Sequence, residues 1–372
     1  MKFTINKKTL IDGVNTSIGA ISNKSQIPVL NGIYLNITQE GITLIGSNGD
    51  ITIRTFIPAT DGEDTIIQDI HEGSVVLQAK LLNSILRKLP EQSVSVEMDE
   101  GLRVIIKSGK SKFKLNGMDA AEYPKLPNTT DVNALEIESN VLKDIINQTV
   151  FAVSIVETRP ILTGVNFKKQ GEQLKFVATD SHRLSQIITD LDAPEDFDTT
   201  IPGISLKELN KVLPENEVVK LTVKNNMIFF EFGTTLFFSR ILDGNYPETD
   251  RLIPNTEKTT VKVSNKELTS SLERALVLSD KPIVKLSIDG GIMASITSNT
   301  PEVGNLSEDV VLENFEGEDV VISFSAKFAL EALKAIKDDN IIIGFNGPMR
   351  PFTFKAENDE STLQLVLPVR TV

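Results

Sequence analysis

Three stretches of this chain repeat one another, and such a repeat constrains a fold more tightly than any single motif inside it. Pro28-Val29-Leu30-Asn31-Gly32-Ile33-Tyr34-Leu35 precedes ITLIGSNGD, and Pro160-Ile161-Leu162-Thr163-Gly164-Val165-Asn166-Phe167 precedes LKFVATDSH. Pro282-Ile283-Val284-Lys285-Leu286-Ser287-Ile288 precedes IMASITSNT. The three prolines lie 132 and 122 residues apart. Before each copy runs a stretch with apolar residues at three-to-four spacing, at 6–21, 139–154 and 264–279, each opening on an Asn or Ser suited to cap a helix. A second such stretch follows each copy, at 79–90, 205–214 and 325–339; Pro90 and Pro214 close the first two and Asp338 stands at the equivalent point of the third. Alternating segments such as SVSVEM, VVKLTV and NIIIGF come next. The pattern predicts three α+β units, residues 1–127, 128–254 and 255–372, in each of which two helices pack on antiparallel sheets. The two halves of each unit look alike, as an internal duplication would leave them. Links rich in Pro, Asn and Thr fall at 127–134 and 254–260.

The composition narrows the function classes. Hydrophobic residues make up 40 % of the 372, enough for a sizeable core. No run of 18 apolar residues is present, and MKFTINKKTLIDG lacks the apolar segment of a secretory signal, so the cytoplasm is the expected location. The absence of cysteine excludes disulfide frameworks, thiolate zinc sites and cysteine nucleophiles, and two histidines leave little for a histidine-rich metal site. A net charge of −13 argues against a surface that grips nucleic acid everywhere, but not against a local basic surface.

Much of the positive charge falls on the predicted helices or at their ends: Lys7, Lys8, Lys80, Arg87, Lys88, Lys143, Lys207, Lys211, Lys266, Arg274, Lys327, Lys334 and Lys337. Asp144, Glu208, Glu267, Glu273 and Glu331 lie among them, so a solvated, balanced helix face and a phosphate-binding face both remain open on these residues alone. Lys107-Ser108-Gly109-Lys110-Ser111-Lys112-Phe113-Lys114-Leu115 is a basic strand with two apolar positions. Glu302 and Glu308-Asp309, near Val277-Leu278 in sequence pattern, form an acidic counterpart in the third unit. A basic edge meeting an acidic one joins two chains head to tail, and such a heterologous contact closes into a ring when the rotation permits.

Asp180 and His182 within VATDSHRLS invite an enzymatic reading. A hydrolase also needs an activated nucleophile and an oxyanion site, and no GxSxG, P-loop, HExxH or GxGxxG accompanies them. Three similar units in series point instead to an extended or closed binding surface.

The triplication, VATDSHRLS, ETRPILTGVNF, DGNYPETDRLIP and the terminal LVLPVR together resemble the bacterial sliding clamp family, the beta subunit of DNA polymerase III, over the whole chain. ETRPILTGV and GPMRPF resemble its low-GC Gram-positive members. The resemblance implies a non-enzymatic processivity factor without cofactor or metal: a head-to-tail homodimer closed into a ring around duplex DNA, helices lining the channel. Lys24, Lys80, Arg87, Lys143, Lys207, Lys211, Lys266, Arg274 and Lys334 would then face the duplex. Lys110, Lys112, Phe113 and Leu115 would meet Val277, Leu278, Glu302 and Glu308 of a second copy. The resemblance further implies a pocket for linear peptides, with Thr179, Asp180, Ser181, His182, Arg183 and Leu184 as one wall. Arg159, Ile161 and Leu162 would make another, Pro247, Arg251 and Leu252 a third, and Leu365, Leu367, Pro368, Val369 and Arg370 the tail. Ser181 stands where many relatives have glycine, and Ile161 where some have an aromatic. Implied partners are double-stranded DNA, the replicative polymerase, an ATP-driven clamp loader, and further proteins with clamp-binding motifs such as repair polymerases, ligase and mismatch-repair proteins; the implied location is the nucleoid. The alternative is a monomeric repeat scaffold that binds peptides without encircling DNA.

Overall fold

The computed structural model describes residues 1–22, 25–99, 101–125, 134–191, 196–278 and 282–370. Lys24, link residues 127–133 and Ser279 lie outside them. The predicted helices form as α1 (Lys7–Ile18), α2 (Ala79–Lys88), α3 (Ser139–Thr149), α4 (Gly203–Val212), α5 (Asn265–Leu276) and α6 (Ala326–Ala335). Most are shorter than the apolar pattern, because local chemistry ends them. Leu89, squeezed by Pro90, leaves the helical region at φ −63°, ψ 139° and closes α2. No proline ends α6. There Asp338 accepts backbone N–H bonds from Asn340 (3.2 Å) and Asn358 (3.1 Å), turning the chain into the next strand. At the other ends, the Asn6 side chain accepts the Lys8 N–H at 2.8 Å and Ser264 Oγ accepts that of Glu267 at 3.4 Å.

The chain folds as two compact bodies, Met1–Asn140 with Ser205–Ile241, and Val141–Ile204 with Leu242–Val372. The middle repeat is therefore shared between them. In the first body an eight-stranded sheet runs Leu135–Glu138, Val218–Lys224, Met227–Phe232, Thr235–Arg240, Ile51–Pro58, Gly41–Ser47, Gly32–Thr38, Gly73–Gln78. A five-stranded sheet ends on the edge strand Ser111–Asn116. In the second body twelve strands form one continuous order from Phe197–Pro202 to Val320–Ser325. All the strand pairings among the described residues are antiparallel, as predicted.

Each body carries a seam where one repeat's strand pairs with the next repeat's. Strand Ile51–Pro58 pairs with Thr235–Arg240, and Arg183–Asp190 pairs with Thr362–Val366. The registers superpose residue by residue: Thr52 faces Phe238 at the first seam, and Leu184 faces Leu365 at the second.

Packing follows the periodicities. In the first body α1 and α2 bury Leu10, Val14, Leu82 and Leu86 with Phe3, Ile33, Leu35 and Leu44 of the strands. The approach of α1 is so close that a Cβ on Gly46 would stand 1.9 Å from the Ser17 carbonyl oxygen, which excludes any side chain there. In the second body Phe324, Phe345 and Phe354 surround Phe352, with ring centroids 5.0–5.6 Å from it. One motif departs from its repeat. Pro28–Asn31 and Pro160–Thr163 form short 3-10 turns, whereas Ile283 already begins a strand. Ile283 takes the register position of Gly32 and Gly164, pairing with the residue just before α6 as they pair with those before α2 and α4.

Candidate peptide groove and charged helix faces

The hairpin turn in VATDSHRLS is built by its own side chains. Ser181 adopts φ +75°, a left-handed conformation, and its N–H donates to Thr179 Oγ1 at 3.1 Å. Asp180 Oδ1 accepts the N–H groups of His182 (2.9 Å) and Arg183 (3.1 Å), while its Oδ2 accepts Arg183 Nε at 3.0 Å. The Arg183 guanidinium, whose side chain is 10 % exposed, also pairs with Glu331, donates to the Phe151 carbonyl at 2.6 Å and lies 4.5 Å over the Phe328 ring. Such a multiply paired, buried arginine is a structural pivot. The His182 ring stacks on Phe328, at 6.3 Å between centroids. Asp180 is thus committed to the turn's backbone and to Arg183, not to the histidine ring, so the pair has no hydrolytic geometry.

Around this turn the second body is concave. One cavity of about 310 Å³ is lined by Arg159, Leu162, Thr179, Ser181, Arg183, Leu184, Pro247, Leu252, Leu365 and Leu367, together with Glu248 and Pro351. An adjoining one of about 450 Å³ shares Arg159, Leu162, Ser181 and Arg183 and adds Asp180, His182, Ile155, Val156, Lys327 and Phe328. Apolar walls with a few placed charges suit an extended apolar segment with a polar backbone. The C-terminal residues are tied down: Leu367 N–H donates to the His182 carbonyl (2.9 Å) and Val369 N–H to that of Ser323 (2.7 Å). The Thr179 N–H donates to Tyr246 Oη at 3.0 Å, which fastens the segment bearing Pro247. Burial pushes the Tyr246 phenol up, outside the physiological range.

Of the residues named from sequence, Ile161, Arg251, Pro368, Val369 and Arg370 line neither cavity; Arg251 and Arg370 are exposed and the others half-buried. Glu248, Pro351, Ile155, Val156, Lys327 and Phe328 were missed. Ile155, 95 % exposed, carried a signal: an isoleucine placed outside any apolar period. The first seam explains why the groove is unequal between repeats. Where the second seam has Leu184 beneath the turn, the first has Thr52, whose hydroxyl bonds Ser47 Oγ at 2.7 Å. Where the second has Leu367, the first has Arg240, which reaches the Gly49 carbonyl at 3.4 Å.

Apart from Lys24, which lies outside the described residues, the residues expected to face DNA sit on helices. Lys80, Arg87, Lys207, Lys211, Lys266, Arg274 and Lys334 are exposed and Lys143 is half-buried. Several are neutralised in place: Lys211 by Glu208 (2.7 Å), Lys334 by Glu273 (2.7 Å) and Arg274 by Glu308 (3.0 Å). The Glu308 carboxyl is held below the usual carboxylate range by hydrogen bonding to Arg274. Glu308, expected to meet a second copy, is thus engaged within its own chain by Arg274. Lys110, Lys112 and Phe113 are exposed at the edge strand Ser111–Asn116, Leu115 is half-buried against the core, Val277 is 82 % exposed, Leu278 half-buried and Glu302 exposed. Among the described residues no cluster of three His, Asp or Glu could hold a metal, and no helix is long and apolar enough to cross a membrane.

Three tandem α+β units, charged helix faces and an apolar groove without a catalytic constellation define a repeat-built binding protein. Family models of the DNA polymerase III beta subunit match residues 1–127 (N-terminal domain), 136–248 (central domain) and 250–370 (C-terminal domain). The chain is 44 % identical to the beta sliding clamp of Bacillus subtilis and 41 % identical to that of Halalkalibacterium halodurans, over the full length of both chains in each case. A crystal structure of the DNA polymerase sliding clamp from Bacillus subtilis superposes with a TM-score of 0.97 at 44 % identity, covering all of both chains. The chain belongs to the DNA polymerase III beta subunit family, the sliding clamps of DNA replication, which act as processivity factors and not as enzymes.

Proposed function

We propose that two copies of this chain close head to tail into a ring around duplex DNA, with unit boundaries near residues 127 and 254. The ring tethers the replicative polymerase, which docks a linear peptide in the groove. The carrying observation is the seam. Twice within the chain, the fourth strand of one unit pairs with the last strand of the next. Of the strands of these two kinds, two have no seam partner among the described residues: Ser111–Asn116, the last strand of the first unit, and Gly304–Val311 of the cognate fourth strand of the last unit, which pairs on one side only. Extending the seam register sets Phe113 opposite Leu306, Lys112 opposite Ser307 and Lys110 opposite Asp309. An apolar pair beside a charge pair suits both edges. Leu306 and Asp309 thus join the expected interface residues, and Glu308 would act through Arg274.

The cognate of Phe113–Leu306 at the first seam is Phe237–Ile53, three positions along the ladder from the hydrogen-bonded pair Asp50–Arg240 and so out of phase with it, which makes it a non-hydrogen-bonded pair with close Cα atoms. Phe113→Cys with Leu306→Cys tests this in a chain that has no cysteine of its own. A closed ring gives one covalent dimer species on a denaturing gel; a ladder means an open filament, and no cross-link with a monomeric mass favours the scaffold reading.

A clamp loader with ATP would open the ring, and ligase, mismatch-repair proteins and repair polymerases would share the groove, in a cytoplasmic, nucleoid-associated protein. Loading onto a nicked circular plasmid, followed by one cut, tests encirclement. A topological link is lost on linearisation, whereas a contact grip survives it.

A further inference from the structure

The helices of the three units are not equally charged. On α1 and α2 stand five basic residues, Lys7, Lys8, Lys80, Arg87 and Lys88, against a single acid, Asp12. On α3 and α4 stand Lys143, Lys207 and Lys211 against Asp144 and Glu208. On α5 and α6 stand Lys266, Arg274, Lys327 and Lys334 against Glu267, Glu273 and Glu331. The pairing sharpens the contrast. Lys211, Arg274 and Lys334 each hold a carboxylate, as described above, and Lys337 beyond α6 pairs with Asp144. The five helix cations of the first unit hold none among the described residues. Lys7 Nζ donates to the Leu89 carbonyl at 3.0 Å. Arg87 donates to Asn83 Oδ1 and Asn15 Oδ1, both at 3.0 Å, while Asn83 Nδ2 donates to Asn15 Oδ1 at 3.1 Å. Two neutral amides from two helices therefore orient the guanidinium without cancelling its charge. Lys80, Arg87 and Lys88 share the exposed face of α2, opposite buried Leu82, Ile85 and Leu86.

A cation already paired with a carboxylate releases little on meeting a phosphate, since the exchange returns one ion pair for another, whereas an unpaired one displaces condensed counterions. We infer that duplex DNA bears mainly on the α1–α2 face of the first unit, and that the helices of the second and third units contribute less, through Lys143, Lys207, Lys266 and Lys327 alone. This rests on the helix faces being the DNA-facing surface.

The test uses the full-length dimer and a short linear DNA duplex, with affinity measured by fluorescence anisotropy across a salt series. One variant combines Lys80→Gln, Arg87→Gln and Lys88→Gln; the other combines Lys211→Gln, Arg274→Gln and Lys334→Gln. The first is expected to flatten the slope of log K against log salt by about 2–3, at roughly 0.9 per lost phosphate contact, and the second by less than about 1. Lys80→Gln with Lys88→Gln, which leaves the Arg87 network intact, guards against an unfolding artefact and is expected to show about two-thirds of the effect. An equal or larger loss in the second variant overturns the inference while leaving the DNA-facing reading in place. Salt-dependent binding that neither variant alters overturns both.

Discussion

Asp180 and Arg183 are joined twice: the same carboxylate accepts the arginine's backbone N–H at 3.1 Å and its Nε at 3.0 Å. The turn and the guanidinium are thereby locked together, and Arg183 presents its remaining donors to Glu331 and Phe151. Asp180→Ala removes one of the partners of a nearly buried cation, and a cost of about 1–3 kcal/mol is expected. The urea midpoint measures it. A variant as stable as the parent would show that Glu331 and Phe151 alone satisfy the arginine.

Leu365 is buried and Leu367 half-buried at the mouth of the 310 Å³ cavity. Leu367→Ala with Pro368→Ala is expected to weaken binding of a polymerase-derived peptide at least tenfold, the equivalent of one lost apolar anchor of about 1.5 kcal/mol. The mass in solution is expected to stay dimeric, since neither residue lies on a free strand edge. Monomerisation would remove the groove assignment.

Phe113→Asp places a carboxylate opposite Leu306 in the proposed register and beside the acidic edge of the second copy. Sedimentation is expected to show a monomer with an unchanged circular dichroism spectrum, because Phe113 is 36 % exposed and its loss opens no core cavity. A stable dimer would redirect the search for the interface.

Ser181 occupies a backbone region that non-glycine residues enter at a cost of about 1–2 kcal/mol. Ser181→Gly is expected to match or slightly exceed the parent's melting temperature, because relief of strain opposes the extra freedom of the unfolded glycine. Ser181→Val, with a β-branched side chain in the same conformation, is expected to fall clearly below it.

The Glu308, Glu357 and Asp338 carboxyls all titrate below their ordinary values: Glu308 through Arg274, Glu357 through Lys262, and Asp338 through the backbone N–H of Asn340. A depressed native pKa adds stability that is complete above the unfolded value, near 4 for such groups, and is lost as pH falls through the native value. Stability is therefore expected to decline below about pH 4. Glu308→Gln should lessen that decline relative to the parent in urea titrations at pH 6 and pH 3; an identical decline would dissociate Glu308 from acid sensitivity.

The sequence by itself determined the architecture, because periodicity and repetition are local properties. Apolar spacing located six helices, Pro90 marked the end of α2, and the recurrence of Pro-Ile/Val with its flanking strands marked three units. It also contained the groove's central wall, since Thr179 to Leu184 are consecutive. Residues brought together across long separations were a different matter. Glu308 lies 34 residues from Arg274 and Phe328 lies 146 residues from His182, and nothing in a charge run or an isolated phenylalanine announces either neighbour. Which cations are free was equally hidden. Lys80 and Lys334 look alike in the chain, and only the fold sets Lys334 beside Glu273 while bringing Asn15 to Arg87. The tertiary structure also decided how the two seams differ beneath their turns, through Leu367 in one register position and Arg240 in its cognate. Packing against a non-local neighbour costs or releases free energy only once that neighbour is in place, so the folded chain alone distinguishes a paired charge from an available one.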